Sequence, residues 1–140
     1  MRWIIDGNNV MGAGADGWWN DPVAAAERLT GVVAEWTRGH DDPVTLVFDG
    51  RPERRLGELA GGTLGVEFAA RPGRDAADDR IVEIVESVYG STPDLRVVTS
   101  DRGLVGRLPP GVGVEGAGAF RTRIGLVTAG RPRRRRRPRG

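Results

Sequence analysis

Cysteine is absent from the 140-residue chain, and histidine occurs once, as His40. The missing cysteines exclude disulfide bonds, zinc–thiolate sites and thiol nucleophiles, and a single histidine excludes a polyhistidine metal cluster. Any metal that the chain binds must therefore be held mainly by oxygen ligands.

Lysine is also absent, so all 21 basic residues are arginine. Seven of these arginines fall in residues 131–140, which contain no acidic residue, whereas residues 1–130 carry 14 arginines and 19 acidic residues. The main part of the chain is therefore acidic, and its C-terminal segment is strongly basic.

Long apolar runs are missing too. No stretch approaches about 18 apolar residues, and Met1–Asp6 does not begin a signal peptide. We therefore expect a cytoplasmic protein with no membrane segment. The length suits one domain, which we expect at residues 1–128, followed by a disordered arginine-rich tail at 129–140.

Short apolar runs alternate with helix signals along the chain, a pattern typical of βα units in an α/β fold with a parallel sheet. The runs are bounded by turn residues, and their lengths suit strands rather than helices. Strands are predicted at Trp3–Ile5, Val44–Phe48, Leu64–Ala69, Leu95–Thr99 and Val112–Glu115.

Helix signals are strongest in two places. Asp21 is predicted to cap a helix that ends before Gly39. Asp75 is predicted to cap a second helix that ends before Gly90, with Asp78 as an acidic capping-box residue. Weaker signals predict a short helix at 104–108 and a helix or turn at 120–126, and no element is predicted for 51–63.

Aspartates gather where predicted strands end. Three strands run directly into an aspartate, and the helix after the third strand begins with three more. The carboxyl ends of parallel strands share one edge of a sheet, which is where open α/β sheets bind ligands. The six aspartates predicted at this edge are Asp6, Asp49, Asp75, Asp78, Asp79 and Asp101.

Each aspartate alone also suits a structural role, because aspartate is a common helix cap and turn residue. This interpretation weakens for the set, since carboxylates crowded on one edge raise one another's pKa unless a cation neutralises them. Oxygen ligands select hard cations, so the sequence predicts a site for Mg²⁺ or Mn²⁺. Such a site suits phosphoryl chemistry.

Three motifs contain most of these aspartates: Ile4–Val10 (IIDGNNV), Asp75–Ile81 (DAADDRI) and Val98–Asp101 (VTSD). Their order and spacing resemble those of the NYN ribonucleases, specifically the YacP-like branch of the PIN-like nuclease superfamily. The resemblance extends over roughly residues 1–127. It implies a three-layer PIN-like (Rossmann-like) fold with a mostly parallel central sheet, and metal-dependent endonucleolytic cleavage of RNA that leaves a 3′-hydroxyl and a 5′-phosphate.

The resemblance also implies roles for individual residues. Asp6, Asp78 and Asp101 match the acidic positions of the metal site, and Asn9 matches the polar residue that supports the first of them. Val105 stands where some relatives carry a further acid, which leaves open whether one or two metal ions bind.

Three more aspartates are expected beside this core. Asp79 and Asp75 match neighbouring acidic positions, with a role in ordering water or substrate at the metal. Asp49 lies at a corresponding strand exit and is a reserve metal ligand. The partner that the resemblance implies is RNA, including ribosome-associated mRNA.

Other residues suggest how RNA is held. Trp18 and Trp19 are expected either to stack on unpaired bases or to cover the first long helix. The tail is either a non-specific nucleic-acid or ribosome contact or a dispensable extension. Arginines expected to guide a phosphate backbone toward the aspartates are Arg51, Arg54, Arg55, Arg71, Arg74 and Arg80.

Two other functions stay open at this point. One is a non-catalytic RNA- or ribosome-binding module, which Val105 and the arginine tail favour. The other is a small-molecule phosphatase that uses the same aspartates. An aspartyl nucleophile of that type is usually followed by an acid two positions on, whereas Asp6 is followed by Gly7 and Asn8.

Overall fold

The structure, a computed structural model, describes residues 1–14, 17–69 and 75–126. Its strands are β1 (Arg2–Asp6), β2 (Val44–Asp49), β3 (Leu64–Ala69), β4 (Leu95–Val98) and β5 (Gly113–Glu115). They form one sheet in the order β3-β2-β1-β4-β5, and every neighbouring pair is parallel.

Helices cover both faces of this sheet. One core joins the first face to helices α1, α2, α3 and α6, and a second core joins the other face to α4 and α5. The predicted three-layer α/β fold is therefore confirmed. The bounds are α1 (Gly7–Gly12), α2 (Pro22–Thr37), α3 (Arg54–Leu59), α4 (Ala76–Val88), α5 (Arg102–Val105) and α6 (Ala117–Arg123).

The central strand β1 shows how the sequence produces two cores. Trp3 and Ile5 belong to the first core and Ile4 to the second, because successive side chains of a strand point to opposite faces. All three are at most 4% exposed. Burial on both faces explains why this strand reads as a continuous apolar run rather than an alternating one.

Helix α2 begins as the sequence predicts. The Asp21 carboxylate accepts a hydrogen bond from the Ala24 amide at 3.1 Å, and Pro22 occupies the first turn, where its missing N–H costs nothing. The helix ends at Thr37, before Gly39. Among the described residues, none of the helices is long and apolar enough to cross a membrane.

Helix α4 has the predicted bounds but a different cap. Asp75 occupies the predicted N-cap position, but its side chain makes no capping hydrogen bond. The carboxylate of Asp49, at the end of β2, accepts the hydrogen bond of the Ala77 amide at 2.8 Å instead. The first turn of α4 is therefore fixed to the sheet rather than by its own N-cap.

Two short helices, α1 and α3, were not predicted. α1 follows β1 without a loop, and the Asp6 carboxylate accepts a hydrogen bond from the Asn9 amide at 3.4 Å. α5 and α6 both begin and end earlier than predicted, at Arg102–Val105 and Ala117–Arg123. The predicted domain end near 128 and the tail lie outside the described residues.

The contact between Gly7 and β2 generates a stability prediction. A Cβ at Gly7 would lie 2.6 Å from Phe48 Cε1 and 2.8 Å from the Val47 carbonyl oxygen. Gly7→Ala is therefore expected to lower the free energy of unfolding by about 1–3 kcal/mol, because a packed site does not accept added atoms without strain. Denaturant unfolding measures this change.

Gly31→Ala provides the matched control. Gly31 lies inside α2, and a Cβ there would meet nothing within 4 Å. This variant is expected to be more stable than the wild type by up to about 1 kcal/mol, because alanine favours the helix. Equal stabilities of the two variants would contradict the packing described for Gly7.

Candidate active site

The carboxyl ends of β1, β2 and β4 meet at one edge of the sheet. β1 lies at the centre of the sheet. The next two strands, β2 and β3, lie on one side of it, and the last two, β4 and β5, lie on the other. The strand order therefore reverses beside β1, and ligands of open α/β sheets bind at such a position. Asp6 ends β1, Asp49 ends β2 and Asp101 caps α5 after β4.

Asp6 is the most buried of the predicted site residues, at 4% exposed. Its Oδ2 accepts a hydrogen bond from Thr99 Oγ1 at 3.0 Å, and its Oδ1 accepts one from the Asn9 amide. Burial raises the pKa of Asp6 to about 6, although these two hydrogen bonds act to lower it. The charges of Asp49 and Asp101 contribute to this raised pKa.

Asp78 lies in the first turn of α4 and is partly buried. Its pKa is also raised to about 6, first by burial and then by the negative charges of Asp6, Asp101, Asp75 and Asp49. We call these five carboxyl groups, Asp78 and the four whose charges act on it, the acidic edge. The structure thus brings together five of the six aspartates that the sequence predicted here.

Thr99 connects the Asp6 carboxylate to the backbone of Asp101. Besides donating to Asp6, its hydroxyl accepts a hydrogen bond from the Asp101 amide at 3.1 Å. The Asp101 carboxylate in turn caps α5 by accepting from the amides of Gly103 at 2.8 Å and Leu104 at 3.2 Å. Thr99 is 1% exposed, so its hydroxyl is held in place by the core.

The two asparagines of the first motif tie α1 to both neighbouring strand ends. Asn8 Oδ1 accepts a hydrogen bond from the Asp49 amide, and Asn9 Oδ1 accepts one from the Ser100 amide, each at 2.7 Å. Asn9 was predicted to support the site, whereas Asn8 and Thr99 were missed. The available signal was a run of polar residues directly after a buried strand.

Asp79 is placed differently from the acidic edge. Its carboxylate forms an ion pair with Arg107 at 2.8 Å. The charges that act on Asp6 and Asp78 come from the acidic edge itself, and Asp79 is not among them. Asp75 is exposed at the start of α4 and acts on Asp78 through its charge.

The donor atoms at the acidic edge suit Mg²⁺ or Mn²⁺, which prefer oxygen ligands. Within residues 1–14, 17–69 and 75–126, no three acidic or histidine side chains form a group that could hold a metal ion as they stand. Mg²⁺ commonly takes only one or two carboxylates and keeps several waters. The arrangement therefore fits a sparsely ligated, hydrated ion rather than a closed cage.

Three of the six arginines predicted to guide a phosphate backbone already have partners. Arg54, Arg55 and Arg80 form ion pairs with neighbouring glutamates. Arg51 forms no ion pair within the part of the chain that the structure describes, and it lies two residues beyond Asp49. The remaining two, at 71 and 74, fall outside the described residues.

The two tryptophans have separate environments. Trp18 packs against the first core, whereas Trp19 is 60% exposed. Their rings meet edge to face with centroids 6.1 Å apart. Burial therefore accounts for Trp18, while the ring of Trp19 is accessible for stacking.

Two cavities differ in their relation to the acidic edge. One of about 620 Å³ lies between α2 and α6, and none of the six predicted aspartates lines it. Another of about 160 Å³ opens beside Asn8 and Asp49. The smaller cavity is therefore the one that adjoins the candidate active site.

The raised pKa of Asp6 generates a prediction about stability and pH. The pKa rises from an ordinary value of 3.8 to about 6, so the folded protein binds this proton more tightly than the unfolded chain does. The protonated carboxyl of Asp6 therefore stabilises the fold relative to the ionised one. This stabilisation is full below about pH 4 and is lost as pH rises through about 6. Relative to Asp6→Asn, the wild type should lose about 3 kcal/mol of unfolding free energy over this interval.

Denaturant unfolding at about pH 4 and about pH 7 measures this difference. Asp94→Asn is the control, because Asp94 is exposed and precedes β4 at the opposite edge of the sheet. Its unfolding free energy should follow that of the wild type at both pH values. Parallel behaviour of wild type and Asp6→Asn would show that Asp6 titrates normally.

No family model and no curated protein matches the sequence. Two crystal structures of Rae1 (YacP) from Bacillus subtilis match the fold over 89% of this chain. A mutant form has a TM-score of 0.67 at 22% identity, with 76% of that chain covered. The other structure has a TM-score of 0.65 at 19% identity, with 74% covered. The chain therefore has the YacP-like NYN fold that its motifs predicted.

Proposed function

We propose that the protein is a metal-dependent endoribonuclease that hydrolyses RNA phosphodiester bonds. The observation that carries this proposal is the acidic edge, where burial first, and then the negative charges of neighbouring carboxylates, raise the pKa of Asp6 and Asp78. A bound cation would relieve this repulsion. The resemblance of the motifs to NYN ribonucleases and the shared fold with Rae1 (YacP) support RNA as the substrate.

Asp6, Asp78 and Asp101 are the residues that we expect to hold Mg²⁺ or Mn²⁺, either directly or through water molecules of the hydrated ion. When bound, the metal would activate a water molecule and stabilise negative charge on the scissile phosphate. Asp6 is suited to direct contact because two hydrogen bonds fix its carboxylate. Asp101 is fixed by its cap on α5, in which its Oδ1 accepts the hydrogen bonds of two backbone amides.

The neighbouring residues position these carboxylates. Asn8 holds the Asp49 amide, and Asp49 in turn holds the Ala77 amide at the start of α4. Because Asp78 is the next residue of that helix, these two hydrogen bonds fix its position relative to the end of β2. Asp49 and Asn8 are thus positioning residues for Asp78, in addition to the charge that Asp49 contributes.

RNA must approach a surface whose carboxylates repel its phosphates. Arg51 and Arg102 are exposed beside Asp49 and Asp101. Neither forms an ion pair in the parts of the chain described by the structure. Among the described arginines, these two are the ones that we expect to contact backbone phosphates on either side of the acidic edge.

A non-catalytic RNA- or ribosome-binding module is the second candidate function. It is favoured by the lack of a ready-made metal group among the described residues and by the ion pair that occupies Asp79. Val105, which replaces an acid found in some relatives, is 36% exposed on α5 and supplies no ligand. Turnover of RNA distinguishes the two functions.

Asp78→Asn tests the proposed nuclease. The wild type should cleave single-stranded RNA with Mg²⁺ or Mn²⁺ and not in EDTA. Removing one carboxylate from the acidic edge should lower the cleavage rate by about 100-fold or more, the usual effect of losing a group that stabilises transition-state charge. Asp94→Asn, the same exchange at the opposite edge of the sheet, should retain the wild-type rate.

Other results have separate meanings. RNA that is bound but never cleaved with either metal would indicate the binding module. Hydrolysis of a generic phosphomonoester, with RNA left intact, would indicate the phosphatase. Equal RNA cleavage by wild type and Asp78→Asn would mean that the activity does not arise at the acidic edge.

Thr99→Val tests whether the Thr99 hydroxyl positions the Asp6 carboxylate and the backbone of Asp101. Valine has the shape of threonine without its hydroxyl, so Asp6 Oδ2 loses a donor and the Asp101 amide loses an acceptor. Unfolding free energy should fall by about 1–3 kcal/mol, the cost of an unsatisfied buried polar group. The pKa of Asp6 should rise further, which would shift the pH profile of cleavage upward.

Thr99→Ser is the control, because serine restores the hydroxyl. It should return the pH profile of cleavage to that of the wild type, even where its smaller side chain lowers stability. A Thr99→Val protein with unchanged stability and an unchanged pH profile would rule out the connecting role of this hydroxyl.

A further inference from the structure

The smaller cavity opens directly beside the acidic edge. It lies between the ends of β2 and β3 and helices α1, α2 and α3, and its volume is about 160 Å³. Asn8 and Asp49 line it and also belong to the active-site network. A molecule bound in the cavity would therefore lie next to whatever is bound at the acidic edge.

The walls of this cavity are apolar and partly aromatic. Phe48 and Phe68 stack with ring centroids 6.1 Å apart and an angle of 26° between the rings. Phe48 is only 3% exposed, which anchors the pair in the core, while Phe68 is partly exposed. Met11, Val23 and Ala26 complete the apolar walls. Such walls suit a flat ring that binds by stacking and dispersion.

The rim of the cavity is polar. Asn8, Arg51 and Glu53 border it, so both hydrogen-bond donors and acceptors surround an apolar interior. Pockets for drug-sized ligands commonly measure about 300–1,000 Å³, so this cavity suits a single flat ring system with polar edges. A nucleobase has these properties, and Arg51 at the rim could contact the adjoining phosphate.

We propose that this cavity binds one unpaired nucleobase of the RNA, next to the phosphodiester bond at the acidic edge. The inference rests on the proposed function and specifies its substrate as single-stranded or locally unpaired RNA. A base within a duplex is stacked and paired, so it does not reach such a cavity without being extruded. The cavity selects unpaired RNA and sets which bond meets the acidic edge.

The experiment uses single-stranded RNAs in which one abasic ribose is moved stepwise along the sequence. Binding to the full chain is measured by fluorescence anisotropy in EDTA, so that no divalent ion supports cleavage. At the position whose base enters the cavity, base removal should weaken binding by about 5- to 100-fold, as expected for one stacked base. At the other positions the effect should be small.

Two variants connect this effect to the cavity. Phe68→Leu keeps an apolar side chain but removes the flat ring, and it should weaken binding of intact RNA to the level of the sensitive abasic RNA. The losses of binding caused by Phe68→Leu and by removal of the sensitive base should not add, because both changes remove the same contact. Val23→Asn should also weaken RNA binding, because Val23 lies on α2 and lines the same cavity. Val114→Asn is its control, since Val23 and Val114 are both 44% exposed and Val114 lies on β5.

The outcomes separate this inference from the proposed function. If every abasic RNA binds like the intact RNA, the inference is overturned, while loss of cleavage in Asp78→Asn would still support the nuclease. If one position is sensitive but neither Phe68→Leu nor Val23→Asn changes that sensitivity, the base binds elsewhere and the inference also fails. If no RNA binds or is cleaved, the proposed function fails with it.

Discussion

The hydrogen bond from the Thr99 hydroxyl to the buried Asp6 carboxylate, 3.0 Å long, is the interaction on which the acidic edge depends. It joins two strand ends that are 93 residues apart along the chain. Because the same hydroxyl accepts the Asp101 amide hydrogen, one side chain contacts both the Asp6 carboxylate and the backbone of Asp101. The fold thus keeps an ionisable group inside a low-dielectric region, at a cost in stability that a ligand could recover.

Much of this architecture could be predicted from sequence because the signals are local. The strands are short apolar runs, and the cap of α2 by Asp21 depends on residues three positions apart. The cap of α4 could not be predicted, because Asp49 reaches Ala77 across 28 residues and replaces the local candidate, Asp75. Helix α1 was missed because its six residues have weak helical preference and are held by contacts with neighbouring strands.

At the candidate site, too, local features could be predicted from the sequence and long-range contacts could not. The positions of aspartates after strands predicted which edge they occupy, but not the direction of each side chain. Successive residues of a helix differ by about 100° in direction, so Asp78 faces the acidic edge while its neighbour Asp79 meets Arg107. The roles of Asn8 and Thr99 were not predicted, because their hydrogen-bond partners lie on other strands. Residue spacing along the sequence does not indicate such long-range partners.

The acidic edge draws on four separate segments of the chain, from Asp6 to Asp101. Parallel neighbours cannot pair until the intervening crossover is made, which makes such sheets slow to assemble. A nascent or partly unfolded chain therefore keeps Asp6, Asp49 and Asp101 apart, and the full charge of the acidic edge is not yet assembled. The acidic edge is therefore complete only after β4 has docked beside β1, which ties the assembly of the candidate site to a late step of sheet formation.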